Sequence, residues 1–168
     1  MRISAIAALS EQNRALGKQN QLLWRIPGDL KRVRELTMGH PIIMGRRTME
    51  SLVSMVGTAL PGRTNIVLSH KLDKPQKGFD IVHSVEEALA LAQNSPGGNS
   101  EIFIFGGART YELFLKKHLI NRLYLTVVRD EPEADSFFPD YSEFKNVVQK
   151  SEVMQSDGLS YYYLTLER

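Results

Sequence analysis

The chain has 168 residues, the length of one ordinary domain, and its 42% apolar and 24% charged residues exclude wholesale disorder and a fibrous repeat. The absence of cysteine removes disulfides, thiolate nucleophiles and cysteine-ligated metal or iron–sulfur centres. Twenty-one Lys plus Arg against nineteen Asp plus Glu leave a formal charge of +2, which gives no reason to expect a nucleic-acid partner.

RISAIAAL at 2–9 is a short apolar run suited to a strand covered on both faces, and the polar stretch from Ser10 to Gln21 reads as a long loop. No stretch approaches the roughly 18 apolar residues of a membrane span, so no membrane partner is expected and the cytoplasm is the expected location. Asp29 to Thr37 reads as a helix, with Pro27 near its start, Leu30, Val33 and Leu36 on one stripe, and Gly39 as its stop. PIIM at 41–44 is the next strand, followed by a helix that opens on Gly45-Arg46-Arg47-Thr48.

RTNIVLS at 63–69 and FDIVH at 79–83 are further strands. Ser84 and Glu87 have capping-box spacing ahead of a helix that buries Val85, Ala88, Leu89 and Ala92. After the turn cluster at 95–100, the EIFIF strand runs into Gly106-Gly107 and the helical TYELFLKKH segment. The rhythm then changes. NRLYLTVV at 121–128, FKNVVQKSEV at 144–153 and LSYYYLTLE at 159–167 read as strands, the last two joined through Asp157-Gly158, while PEAD and FFPD at 132–140 read as loop.

Strands alternating with helices, followed by strands alone, predict an α/β fold with a mostly parallel central sheet and an antiparallel C-terminal edge. No linker divides residues 1–168, so one domain is expected.

Two strand-to-helix turns could hold phosphate. At Gly45-Arg46-Arg47-Thr48 the free N–H groups of a helix start would lie beside two guanidiniums and a hydroxyl, although both arginines could equally be solvated charges. At Gly106-Gly107-Ala108-Arg109 the glycines permit close approach, or simply form a tight turn. Asp29 at a helix start is either a favourable placement near amide donors or a carboxylate able to bind the paired N–H groups of a heterocycle. The lone Trp24, Tyr111 and Thr126 read as readily as packing residues. His40, His70, His83 and His118 form no ligand motif, and neither a metal site nor a hydrolase signature emerges.

Taken together, SAIAALS, LWRIPGDL, IIMGRRTMES, LPGRTNIVLS, IFIFGGARTYELFL, LYLTVV and FFPDY resemble the dihydrofolate reductase family, in order and over nearly the whole chain. The resemblance implies a single-domain, three-layer fold with helices on both sheet faces. It also implies NADPH as hydride donor, dihydrofolate as acceptor and antifolates as ligands, with a monomer favoured over a dimer. In the catalytic group it implies Asp29 as the pterin-binding acid, with Trp24 beside it and Thr126 supporting it. Ile6, Ala8, Leu30, Val33, Leu52, Leu60 and Phe105 would surround the folate, and Arg63 would bind its carboxylate.

The cofactor positions implied by the same resemblance begin with Ala8, Leu16 and Gly17 and continue through Gly45, Arg46, Arg47, Thr48, Leu68, Ser69 and His70. Phe105, Gly106, Gly107, Ala108, Arg109, Thr110 and Tyr111 complete them, with the Gly106–Gly107 peptide cis. Val33 departs from the family's usual phenylalanine, Leu23 from a common proline, Ala108 from a common glycine, and the stretch at 54–59 is longer than in the compact bacterial version. The alternatives are a reductase of another pterin or of a ribosyl pyrimidine, and a noncatalytic nucleotide-binding module.

Overall fold

The computed structural model describes residues 1–168. Along the chain run β1 (Arg2–Ser10), β2 (Ala15–Lys18), β3 (Gln21–Leu22), α1 (Pro27–Thr37), β4 (Pro41–Gly45), α2 (Arg46–Val56), β5 (Thr64–Leu68), β6 (Phe79–Val82) and α3 (Val85–Gln93). They are followed by β7 (Glu101–Gly106), α4 (Ala108–Lys116), β8 (Arg122–Val128), β9 (Ser136–Phe137), β10 (Asn146–Lys150), β11 (Met154–Ser156) and β12 (Leu159–Glu167).

Alternation along the central strands sets the layering. Ile3, Ala5 and Leu9 of β1, Ile43 of β4, Ile102 and Ile104 of β7 and Leu123, Leu125 and Val127 of β8 share one buried cluster. The intervening Ile6, Ile42, Met44, Phe103 and Tyr124 belong to a second. A sheet that is apolar on both faces needs cover on both. On the first face α3 contributes Val85, Ala88 and Ala92, and α4 contributes Tyr111, Phe114 and Leu115. On the second, Val33 and Leu36 of α1 and Met49 and Leu52 of α2 close the layer. This is the three-layer α/β arrangement that the resemblance implied.

The main sheet runs β10-β12-β8-β1-β7-β4-β5-β6, with β11 also on β12. Pairings among β1, β4, β5, β6, β7 and β8 are parallel, whereas β12 runs antiparallel to β8, β10 and β11. No helix is long and apolar enough to cross a membrane.

Three expectations from the sequence need correction. The stretch from Ser10 to Gln21 is not simply loop, because β2 pairs with β3 and β9 in a separate three-stranded sheet. For the same reason the segment at 132–140 contains strand β9. Strands of two to four residues are too short to show a hydrophobic period, and these are made by pairing with one another. The third correction concerns residues 144–153, which do not form one strand. A register shift lies between Val147 and Gln149, β10 ends at Lys150, and the next paired strand begins only at Met154. Asp157 and Gly158 turn the hairpin as expected, both at positive φ, but they join β11 to β12. Helices α1 and α4 each start two residues earlier than the sequence pattern suggested.

Candidate active site

The parallel strands β1, β4, β5 and β7 all end at one edge of the sheet, the edge at which open α/β sheets form their ligand crevices. Helix α1 presents an acid there. Pro27 occupies its first turn and Ile26 offers no side-chain cap, so Asp29 brings negative charge to the helix start. Its side chain is only 9% exposed and rests on β8, where Thr126 Oγ1 donates to Asp29 Oδ1 at 2.5 Å.

Asp29 Oδ2 has no protein donor, yet the one fully buried side-chain polar atom without a partner lies elsewhere. This second oxygen therefore reaches open space. Burial raises the proton affinity of Asp29, while the Thr126 hydroxyl and the charge of Arg32 act in the opposite direction. A half-held carboxylate of this kind can accept two N–H donors from a planar ring.

Trp24 packs beside Ile26, Val128 and Tyr161, and its indole N–H donates to Asp130 Oδ2 at 2.9 Å. Its donor is thus directed to Asp130 and not to Asp29. Tyr111 is buried against Phe138, and its hydroxyl donates to the Ile6 carbonyl at 2.6 Å. Burial pushes that hydroxyl's pKa well up, so it serves as a fixed neutral donor.

Apolar walls continue from the acid. Ile6 is buried, Ala8, Val33, Leu52, Leu60 and Phe105 are half-buried, and Leu30 is 40% exposed. Leu60 is held at both backbone groups by the Asn65 side chain, at 3.0 and 2.9 Å. The same turn carries Arg63, whose Nε donates to the Pro61 carbonyl and whose Nη1 donates to Thr37 Oγ1 at 3.2 Å. Thr37 is fully buried and donates in turn to the Val33 carbonyl. Arg63 is thereby fixed between α1 and β5 with part of its fork unused, a suitable arrangement for a carboxylate. Burial and the neighbouring Arg34 both lower its pKa, which marks a site where a second cation accompanies the first.

The two glycine turns lie side by side because β4 and β7 are sheet neighbours. Gly45 and Gly107 are the N-caps of α2 and α4. Neither helix has a side-chain cap or an acid in its first turn. Helix α3 offers the contrast, since Ser84 accepts from the Glu87 N–H and Glu86 and Glu87 fill its first turn. Two adjacent helix starts with free N–H groups and cations in place of acids fit an external anion.

Close packing explains the glycines: a Cβ at Gly45 would lie 2.9 Å from Thr110 Oγ1, and one at Gly106, where φ is +118°, would lie 3.3 Å from the Tyr111 hydroxyl. A Cβ at Gly107 would sit 3.4 Å from Thr48 Oγ1. The Gly106–Gly107 peptide is cis, as the resemblance implied. Arg46 is paired with Glu50 of its own helix at 2.6 Å, whereas Arg47 and Arg109 are exposed and make no ion pair. Ala108 opens α4 at this turn.

Leu68, Ser69 and His70 follow at the end of β5, where the Ser69 carbonyl lies 2.7 Å from His83 Nδ1. Leu16 and Gly17 lie on β2, and a Cβ at Gly17 would meet the Gln21 carbonyl oxygen at 2.8 Å.

Arg32, Arg34, Asn65, Asp130 and Tyr163 were not singled out from the sequence. Arg32 was accessible in principle, three residues after Asp29 on the helix. Asp130 and Tyr163 reach the site only through β8 and β12, and no local pattern marks them.

A family model described as dihydrofolate reductase matches residues 2–168. The dihydrofolate reductase of Staphylococcus haemolyticus is 36% identical over 171 residues, spanning 100% of this chain and 96% of its own. That of Staphylococcus aureus (strain COL) is 38% identical over 138 residues, spanning 82% of this chain and 79% of its own.

Proposed function

This chain belongs to the dihydrofolate reductase family and reduces dihydrofolate to tetrahydrofolate with a nicotinamide cofactor, and we propose that the cofactor is NADPH and that Asp29 holds the pterin. The observation that carries the residue assignment is the buried Asp29 carboxylate, with one oxygen fixed by Thr126 and the other open. When bound, the reduced nicotinamide supplies the hydride, and water supplies the proton for the adjacent ring nitrogen.

In this reading the protein's contribution is orientation and exclusion of water. Asp29 Oδ2 accepts the pterin amino group and its neighbouring ring N–H, while Thr126 keeps the carboxylate plane from rotating. Ile6, Ala8, Leu30, Val33, Leu52, Leu60 and Phe105 enclose the substrate, and Trp24 walls the acid side. Arg63, held by Thr37 and Pro61, takes the substrate's carboxylate. Antifolates that present paired N–H donors would use the same Asp29 oxygen.

The cofactor's phosphates fit the uncapped starts of α2 and α4, with Thr48, Arg47 and Arg109 beside them and Thr110 at the close approach. Arg46 joins this set only by giving up part of its bond to Glu50. Arg47, Ser69 and His70 favour the additional phosphate that separates NADPH from NADH. Leu16 and Gly17, on the small sheet of β2, β3 and β9, would cover the nicotinamide and shield it from bulk water.

The test is absorbance-monitored oxidation of NADPH and of NADH by the purified protein with dihydrofolate, each against a control lacking substrate. Substrate-dependent oxidation is expected with both reduced forms, with kcat/KM for NADPH higher by roughly 100-fold, since discrimination rests on a charged group with dedicated partners. Equal kcat/KM for the two would reject the NADPH assignment.

A further inference from the structure

One turn after Asp29 on α1 stands a cation with no role in the reaction as described. The Arg32 guanidinium lies over the Tyr163 ring, 4.1 Å from its centroid, and its Nη1 is the only fully buried side-chain nitrogen or oxygen in the chain without a hydrogen-bond partner. An unpaired buried N–H is costly, and a long side chain usually avoids that cost by extending into water. Lys31, the preceding residue, does so and lies 3.8 Å from Glu35. Arg32 is instead retained by a ring.

The placement of that ring gives the arrangement its meaning. Tyr163 on β12 is the direct cross-strand partner of Thr126 on β8. Thr126 holds the Asp29 carboxylate, and Tyr163 seats the Arg32 guanidinium. Acid and base, one helical turn apart, are therefore each tied to one member of a single cross-strand pair. We propose that Arg32 is a positioning residue, a cation seated on Tyr163 that keeps the Asp29 carboxylate ionised in its apolar setting so that it can receive the pterin.

The consequence for catalysis rests on the reading of Asp29 as the pterin anchor. The titratable groups that act on the pair are Tyr124 on β8 and Tyr163 on β12, with Tyr161 packed edge-on against Tyr163. Arg32 is the only cation among them. Burial, followed by the charge of Asp29, pushes the Tyr163 hydroxyl up to about 12, so the ring remains a neutral platform across the working range. Among the charges acting on Asp29, that of Arg32 favours the ionised form, against the larger effect of burial.

The experiment is a carboxyl-carbon NMR titration of Asp29 in the ligand-free protein, for the wild type, Arg32→Met, Arg32→Lys and Tyr163→Leu, alongside the pH dependence of kcat/KM for dihydrofolate. Arg32→Met should move the Asp29 midpoint to higher pH, and Arg32→Lys should move it back. Tyr163→Leu, which keeps the cation but removes its seat, should give a smaller shift in the same direction as Arg32→Met. It also serves as the second test if Arg32→Met does not fold. On the acid side of the profile kcat/KM should fall roughly fivefold in Arg32→Met, mainly through KM, with the gap closing as pH rises.

An Asp29 midpoint that does not move in Arg32→Met overturns the proposal. A midpoint that moves while the kcat/KM profile stays fixed upholds the coupling of Arg32 to Asp29 and counts against Asp29 as the pterin anchor.

Discussion

Asp29 is where stability and function oppose each other within one side chain. Burial raises its proton affinity above that of the unfolded chain, so the folded state binds more protons than the unfolded state over that interval. The favourable contribution of the group is then fully present in acid and is lost as pH rises through its folded value. Above that value the ionised carboxylate is a destabilising element. Asp29→Asn keeps the shape and an oxygen that accepts from Thr126, and it should raise the melting temperature at neutral pH by a few degrees, each kcal/mol being worth about 2–4 °C in a chain of this size. The gain should shrink in melts recorded at progressively lower pH. A variant less stable than wild type at neutral pH would show that the charge stabilises the fold. The sequence, through its family resemblance, pointed to Asp29, Trp24 and Thr126, but the Thr126 contact spans 97 positions and the Arg32–Tyr163 contact runs between α1 and β12. Contacts at such separation leave no spacing to read.

At the scale of elements, the first turns of the helices separate structural starts from starts left available to a ligand. Helix α3 satisfies its own N-terminus with Ser84, Glu86 and Glu87, while α2 and α4 have neither a side-chain cap nor a first-turn acid, as the proposed phosphate site requires. Ala108→Asp would supply α4 with the acid it lacks. It should weaken NADPH binding by more than tenfold through repulsion of phosphate, with the dissociation constant for dihydrofolate nearly unchanged, and titration calorimetry with each ligand measures both. Equal weakening of the two ligands would mean that the α4 start does not hold the cofactor. The capping box at Ser84 and the strand-glycine-helix turns were legible because their signals are local. The β2, β3 and β9 strands were not, since their two to four residues acquire extended structure only from pairing, in a tight β2–β3 hairpin and between β2 and β9 over 100 positions away. The composition of 144–153 likewise gave no sign of the register shift within β10 or of the break at residues 151–153 that separates β10 from β11.

In the whole molecule, on the proposed reading, one end of the sheet assembles three recognition chemistries in sequence: Arg63 for a carboxylate, Asp29 for ring N–H donors, and the α2 and α4 starts for phosphates. The +2 net charge hides this, because nineteen acids nearly balance twenty-one Lys and Arg over the whole chain, several of them paired directly, as in Lys31–Glu35, Arg46–Glu50 and Lys116–Glu112. The sequence conveyed the layer order through the alternation of strand and helix, and the antiparallel edge through the change of rhythm after residue 121. It did not convey which arginines are fixed and which are free, a property of packing that separates Arg63 on Thr37 from the exposed Arg47 and Arg109. The central claim is that one oxygen of Asp29 receives the pterin while the other is held by Thr126. Single-turnover hydride transfer to dihydrofolate by Asp29→Asn, with NADPH saturating and the fold verified by circular dichroism, tests it most directly. The account predicts a rate lower than wild type by about 100-fold or more, the usual loss when a positioned charge is removed from the reacting site. A rate within a factor of about two of wild type would contradict it, since differences that small lie below the net value of a typical hydrogen bond to a charged group.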